Sequence, residues 1–240
     1  MKRDYLSYSA LKAYAKSPSH YIQYVMGDRV ETPEMKFGTA FHAYVLERES
    51  FEDRYYVMPK VDRRTKNGKA QFTKHQKEAQ QRIVIDETEL ARIMAMHIKI
   101  MEHPEASLIM TEGHSEVPVK KEIRGVEFKG IVDRVTEHGI WDLKTVQDAS
   151  SEGFHRAAYN MNYYLQAAIY CEVCGMDTFT WCTVEKSGPY NVGVFKITDE
   201  AMLWAKAELY KLVEEFKSWD GLPMSYSNLI QPLRIPSWVR

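Results

Sequence analysis

Apolar residues recur every three or four positions along the first hundred residues, and short β-branched runs dominate later, so the pattern predicts helices first and strands afterwards. Two short helices open the chain. The first follows Ser7 or Ser9; the second has Ser17 as N-cap and Pro18 at its first position. Thr32 and Pro33 start a third through MKFGTAFHAYVLERE, with Phe37, Phe41, Tyr44 and Val45 at apolar spacing and Gly38 and His42 on one face. Asp86 caps a long helix to about His103, its buried stripe marked by Leu90, Ile93, Met94 and Met101, and His97 on that stripe reads as a core histidine. Pro104 opens one more short turn.

Residues 115–123, 126–135 and 139–145 then form a three-stranded antiparallel meander, joined at Arg124-Gly125 and His138-Gly139. A helix from about 152 to 173 follows, then strands 177–186 and 190–197 linked around Gly188-Pro189. Thr198 or Asp199 caps a last helix to about Trp219, before a Pro-containing tail. No internal repeat is visible. The expected fold class is α/β, a central mixed β-sheet flanked by helices with a helical N-terminal part. One domain is expected over 1–240: a mainly helical part at 1–110 carrying His42, the sheet and its helix at 111–197, and the last helix and tail at 198–240.

With 240 residues, 45% of them hydrophobic, the chain can bury a core without disulfides. A net charge of -1 argues against coating nucleic acid through bulk charge. The average hides a local excess, because eight Lys/Arg between Lys60 and Arg82 face only Asp62 and Glu78. Such a charge run ordinarily reads as a solvated loop. Without a signal-peptide core or an apolar run long enough to span a bilayer, the expected location is cytoplasmic, with no membrane partner. Three cysteines, Cys171, Cys174 and Cys182, fit reduced thiols, and the C-x-x-C near a helix end fits core packing.

The chemistry concentrates in GIVDRVTEHGIWDLKT. Asp133 and Asp142 fall on adjacent strands, and Lys144, two residues after Asp142, projects from the same face as that carboxylate. If Asp133 faces the same way, two carboxylates and one ammonium surround a single point. Such a set holds a hard divalent ion and orients a water for phosphodiester hydrolysis. Alternatively both acids are solvated strand ends and Lys144 pairs with one of them. The apolar neighbours Ile140, Trp141 and Leu143 favour a site, since unpaired charge is costly there.

The ordered set GTAFHAYVLE, GIVDRV, WDLKT and YYLQAAIY resembles the motifs of PD-(D/E)XK nucleases of the RecB and RecE (exonuclease VIII-like) group. VDRRTKNGKAQF and VEKSGPYNVGVFKI look like the corresponding stretches of phage and prophage RecE-like exonucleases, so the likeness spans most of the chain. Val132 replaces the proline of the family's name. The resemblance implies a restriction-endonuclease-like core in which His42, Asp133, Asp142 and the Leu143 carbonyl ligate Mg²⁺ or Mn²⁺, Lys144 is the catalytic lysine and Glu116 an auxiliary acid. Gln166 and Tyr170 match a Q-x-x-x-Y motif that supports the active site and touches the DNA backbone; the alternative is a helix packing Tyr163, Ala167 and Tyr170 on the sheet. Arg63, Arg64, Lys66 and Lys69 become candidate phosphate contacts, and Gly38 leaves room beside His42. Iron-sulfur relatives need four cysteines, so no such cluster is expected. The implied activity is an exonuclease acting on double-stranded DNA ends, 5′ to 3′, with a single-strand annealing protein as partner, a ring-shaped homo-oligomer, and the host cytoplasm as location if phage-encoded. The same fold also serves endonucleases, and a non-catalytic DNA-end-binding recombination scaffold is the remaining reading.

Overall fold

The computed structural model describes residues 2–28 and 31–223, and of Met110 the backbone alone; the Pro-containing tail lies outside the described residues. A short strand β1 (Tyr5–Leu6) precedes α1 (Tyr8–Lys16) and α2 (Pro18–Met26), each begun by a serine hydroxyl: Ser7 accepts from Ala10 N–H and Ser17 from His20 N–H. α3 (Pro33–Leu46), capped by Thr32, stops earlier than the apolar pattern predicts, because the chain tightens into a 3-10 turn at Arg48–Ser50. The short α4 (Phe51–Arg54), β2 (Tyr55–Met58), α5 (Lys66–Ala79) and β3 (Ile83–Asp86) follow, with β2 and β3 pairing in parallel as a small separate sheet. The basic segment is therefore not a plain loop: much of it is α5, started by Thr65 capping Gly68 N–H.

α6 (Glu87–Glu102) carries a full capping box between Asp86 and Glu89. Its buried residues are Ile93, Met96 and Ile100, whereas Met94 and Met101 face outward, so the stripe sits one position away from the expected one. His97 sits at the rim of the core, its ring edge-on to Tyr44 at 5.5 Å. A turn from Pro104 leads into α7 (Leu108–Thr111).

The meander forms as expected from β4 (His114–Ile123), β5 (Val126–Thr136) and β6 (Gly139–Val146), and the Arg124-Gly125 turn takes positive φ at both residues, the geometry of tight hairpins. The single helix expected over 152–173 is two, α8 (Ser151–Asn160) and α9 (Tyr163–Cys174), because Asn162 adopts a left-handed φ of 56° that no continuing helix allows. β7 (Phe179–Glu185), β8 (Val192–Lys196) and α10 (Asp199–Ser218, capped by Thr198) complete the order.

The main sheet runs β1-β5-β6-β7-β8, with β4 on the other edge of β5; β6–β7 and β1–β5 are parallel, the remaining pairs antiparallel. β7 is buried on both faces, as a central strand should be. Phe179 and Trp181 enter a core shared with α1, α2, α8, α9 and α10, while Cys182 and Val184 enter a second core shared with α3, α6 and the small sheet. Cys171 and Cys182 thus lie in different cores, and burial pushes both thiols up to about 12, which fits inert packing. Among the described residues no helix is long and apolar enough to cross a membrane.

Candidate active site

The site forms where the sheet opens. β5 pairs with β4 along almost its whole length, but with β6 only from Arg134↔Trp141 to Thr136↔Gly139. One step further the same register would set Asp133 opposite Asp142, and there the strands part. The gap is bridged by a side chain: Leu143 N–H, turned away from a ladder partner on β5, donates to Asp133 Oδ2 at 2.8 Å.

The irregularity extends to β4. The β4–β5 pairing passes from Ser115↔Arg134 to Val117↔Val132, leaving Glu116 and Asp133 unpaired between them, and Glu116 holds a φ of 50°. On β5, Phe128 and Val132 face one core and Val135 faces the same core, so the alternation of a regular strand slips by one at Asp133. A strained non-glycine residue costs energy and persists where its surroundings hold it. The result here is convergence: His42 from α3, Glu116 and Asp133 each place one ligand-type atom within 4.8 Å of the others. His42 Nδ1 is 3.6 Å from Asp133 Oδ2.

A second group lies behind the first. Asp142, 1% exposed, receives Gln166 Nε2 at 2.8 Å and Lys144 Nζ at 2.7 Å on Oδ1. Its Oδ2 makes a 2.6 Å ion contact with the same ammonium but accepts no well-directed hydrogen bond. The expectation that Asp133 and Asp142 face one point together is thus met only in part: Asp133 joins His42 and Glu116, while Asp142 turns to Lys144 and Gln166.

The electrostatics of the groups differ in sign. Burial, with Lys144 nearby, pushes His42 down to about 4, so the imidazole is neutral and free to ligate at neutral pH. Burial raises Asp133 against the opposing pull of Lys144 and the Leu143 N–H. Glu116 rises to about 7 through burial and the charges of Asp133 and Glu47. Asp142 rises to about 6, again mainly through burial. Burial alone would lower Lys144, but Asp142 and Asp133 outweigh it and hold the ammonium charged. Carboxylates this reluctant to ionise, beside a neutral imidazole, have the donor chemistry of a hard divalent cation site.

Other sequence-derived residues find different surroundings. Tyr170 is buried flat against bare backbone: a Cβ at Gly130 would stand 2.8 Å from Tyr170 Cε1. It fixes α9 on β5, as the packing alternative holds, while Gln166 on the same helix reaches Asp142. Beside Gly38 a Cβ would meet only Thr145 Oγ1, at 3.8 Å, so space is open there. Arg63, Arg64, Lys66 and Lys69 are exposed at the start of α5, where Arg63 covers the Phe72 ring at 4.2 Å and Arg64 pairs with Asp62. Two neighbours escape a reading by motif. Arg54 and Glu47 pair at 2.5 Å within electrostatic reach of Glu116. Tyr163, which the packing alternative sets against the sheet, places its ring 5.1 Å from Lys144 Nζ.

Comparison with known proteins decides the family. Residues 7–220 match the family described as "PDDEXK-like domain of unknown function (DUF3799)". The chain belongs to the PD-(D/E)XK nuclease superfamily. The fold is similar to the crystal structure of a protein from Eubacterium rectale named "Putative exonuclease", with a TM-score of 0.63 at 14% identity, covering 89% of this chain and 80% of that one. LHK-Exo in complex with dAMP aligns with a TM-score of 0.43 at 11% identity, over 90% of this chain and 89% of the other. No curated protein matches the sequence. A mixed sheet flanked by helices, with the acidic cluster at the parting of β5 and β6, is thus a PD-(D/E)XK nuclease fold.

Proposed function

We propose that this chain is a metal-dependent DNA exonuclease that hydrolyses phosphodiester bonds at double-stranded ends, digesting 5′ to 3′ and leaving 3′ single-stranded tails for annealing-type recombination. The observation that carries the proposal is the two-part site: His42, Glu116 and Asp133 converge, with the buried Asp142–Lys144 pair directly behind. Polarity, the annealing partner and a ring-shaped oligomer rest on the RecE-like motifs of the sequence.

The donor set fits Mg²⁺ or Mn²⁺, held by Asp133, Asp142, the Leu143 carbonyl and His42, with Glu116 in support. Asp142 Oδ2, which accepts no well-directed hydrogen bond, and the neutral His42 ring speak for this set. Such an ion supplies Lewis-acid polarisation of the scissile phosphate and a bound water of lowered pKa. The protein's own groups do the positioning. Leu143 N–H holds Asp133 and Gln166 holds Asp142, so neither carboxylate is free to turn away. Lys144, kept as an ammonium, donates hydrogen bonds; it orients the attacking water and stabilises charge on the phosphate rather than taking a proton. The exposed cations at the start of α5 hold the duplex backbone.

The test uses duplexes labelled separately at each 5′ and 3′ end, with Mg²⁺ or Mn²⁺, beside Asp142→Ala and Lys144→Ala. Metal-dependent loss of the 5′ label ahead of the 3′ label, absent in both variants, is expected. Equal product from wild type and variants overturns the nuclease reading. Cleavage of closed circular DNA makes the enzyme an endonuclease, and duplex binding without turnover makes it a scaffold.

A further inference from the structure

Lys144 is the cation on which the proposed chemistry turns, yet its directed hydrogen bonding among the described residues goes to one carboxylate. A lysine side chain has four rotatable bonds, and a single ion pair does not fix where its remaining N–H groups point. An aromatic ring is the ammonium's other neighbour of note: the Tyr163 ring centroid lies 5.1 Å from Nζ, within cation–π range. We infer that Tyr163 is a positioning residue for Lys144, its ring closing the ammonium against Asp142 so that one N–H direction is left for the substrate side. The inference rests on the nuclease reading only for its effect on rate; the ring's hold on the lysine stands apart from it.

Three observations explain why the ring is there. α8 ends at Asn160, and the left-handed Asn162 re-aims the chain, so Tyr163 becomes the first residue of α9 rather than the continuation of a straight helix. The carbonyl of Met161, at that break, accepts a hydrogen bond from the Tyr8 hydroxyl at 2.8 Å, tying the junction to α1. From behind, Phe154 stacks on Tyr163 with centroids 6.1 Å apart at 27°, and Phe154 is itself stacked on Phe195 at 4.5 Å. The ring is therefore held from the fold's core, not from the lysine. Burial pushes both phenols up, so Tyr8 and Tyr163 stay protonated and neither acts as a base.

The experiment compares Tyr163→Phe, which keeps the ring, with Tyr163→Leu and Tyr163→Met, which keep apolar bulk without it. On end-labelled duplex, kcat is expected to fall about 10-fold in Leu and Met, with KM and Tm near wild type, and to recover to within about 2-fold in Phe. A loss confined to KM or Tm, or full kcat in Leu and Met, overturns the inference. A readout independent of DNA is the Lys144 Hε resonance in ¹³C-lysine-labelled protein: an upfield ring-current shift is expected in wild type and Phe and absent in Leu and Met. No shift in wild type overturns the inference even if the enzyme cuts DNA. If the wild type cuts nothing but the shift follows the ring, the nuclease reading fails and the positioning role of the ring stands.

Discussion

Asp133 and Asp142 are nine residues apart on neighbouring strands, yet they live in opposite surroundings. Asp133 sits in an open group with His42 and Glu116, where three side chains crowd together without a cationic side chain among them. Asp142 sits in a closed group, its charge answered by Lys144 and its orientation fixed by Gln166. One group is incomplete by charge and the other complete. The lesson is that two carboxylates one register step apart can be held in different ways: one in a crowded group beside a strained residue, the other in a closed pair with its counter-charge.

Removing one partner from the closed group should have the largest effect. Lys144→Ala should lower the degradation rate about 10³-fold and destabilise the fold by about 3 kcal/mol, because Asp142 is left buried without its counter-charge; nuclease assays and urea melts read both. A stable Lys144→Ala protein would erase the contrast. Next, Mn²⁺ should raise the Tm of wild type, and Asp133→Asn should abolish that rise, while leaving the metal-free Tm unchanged or higher. Gln166→Leu should weaken metal affinity about 10- to 100-fold by letting Asp142 turn, as a metal titration followed by Tm would show.

The open group also predicts a pH effect. Glu116 has a folded pKa raised to about 7, above its unfolded value, so its protonated form favours the fold. Its contribution is complete at low pH and is lost as the pH rises through 7, so the metal-free protein should melt lower at pH 8 than at pH 6. Glu116→Gln should flatten that difference. The smallest effect is expected from Arg63→Glu with Lys69→Glu: a higher KM, and a log–log salt dependence flatter by about one unit for each phosphate that the variant no longer neutralises.

Much of this was legible in the sequence wherever a local rule governs. Ser7, Ser17, Thr32, Asp86 and Thr198 mark helix starts because a side-chain oxygen before a helical run has one favourable use. Asp142 and Lys144 stand out because a strand's period of two puts them on one face, while Asp133 and Gln166 stand out through the motifs of the resembled nucleases. What stayed hidden depends on partners far along the chain. The break at Asn162 answers to Tyr8, 153 residues before the carbonyl it holds. Met94 and Met101 fit an apolar stripe equally well, and the packing of α6 on α3, β7 and the small sheet decides that Met96 and Ile100 go inward. The separation of the two carboxylates follows from the slip at Asp133 and the strained Glu116, for which strand periodicity has no signal.

The bare backbone at Gly130 bears on how such a fold can change over time. Tyr170 rests where a side chain on β5 would otherwise stand, so the glycine and the tyrosine form one heritable unit. Lineages should gain or lose them together, and transplanting the Q-x-x-x-Y helix onto another sheet will succeed only where the receiving strand carries a glycine at the matching position.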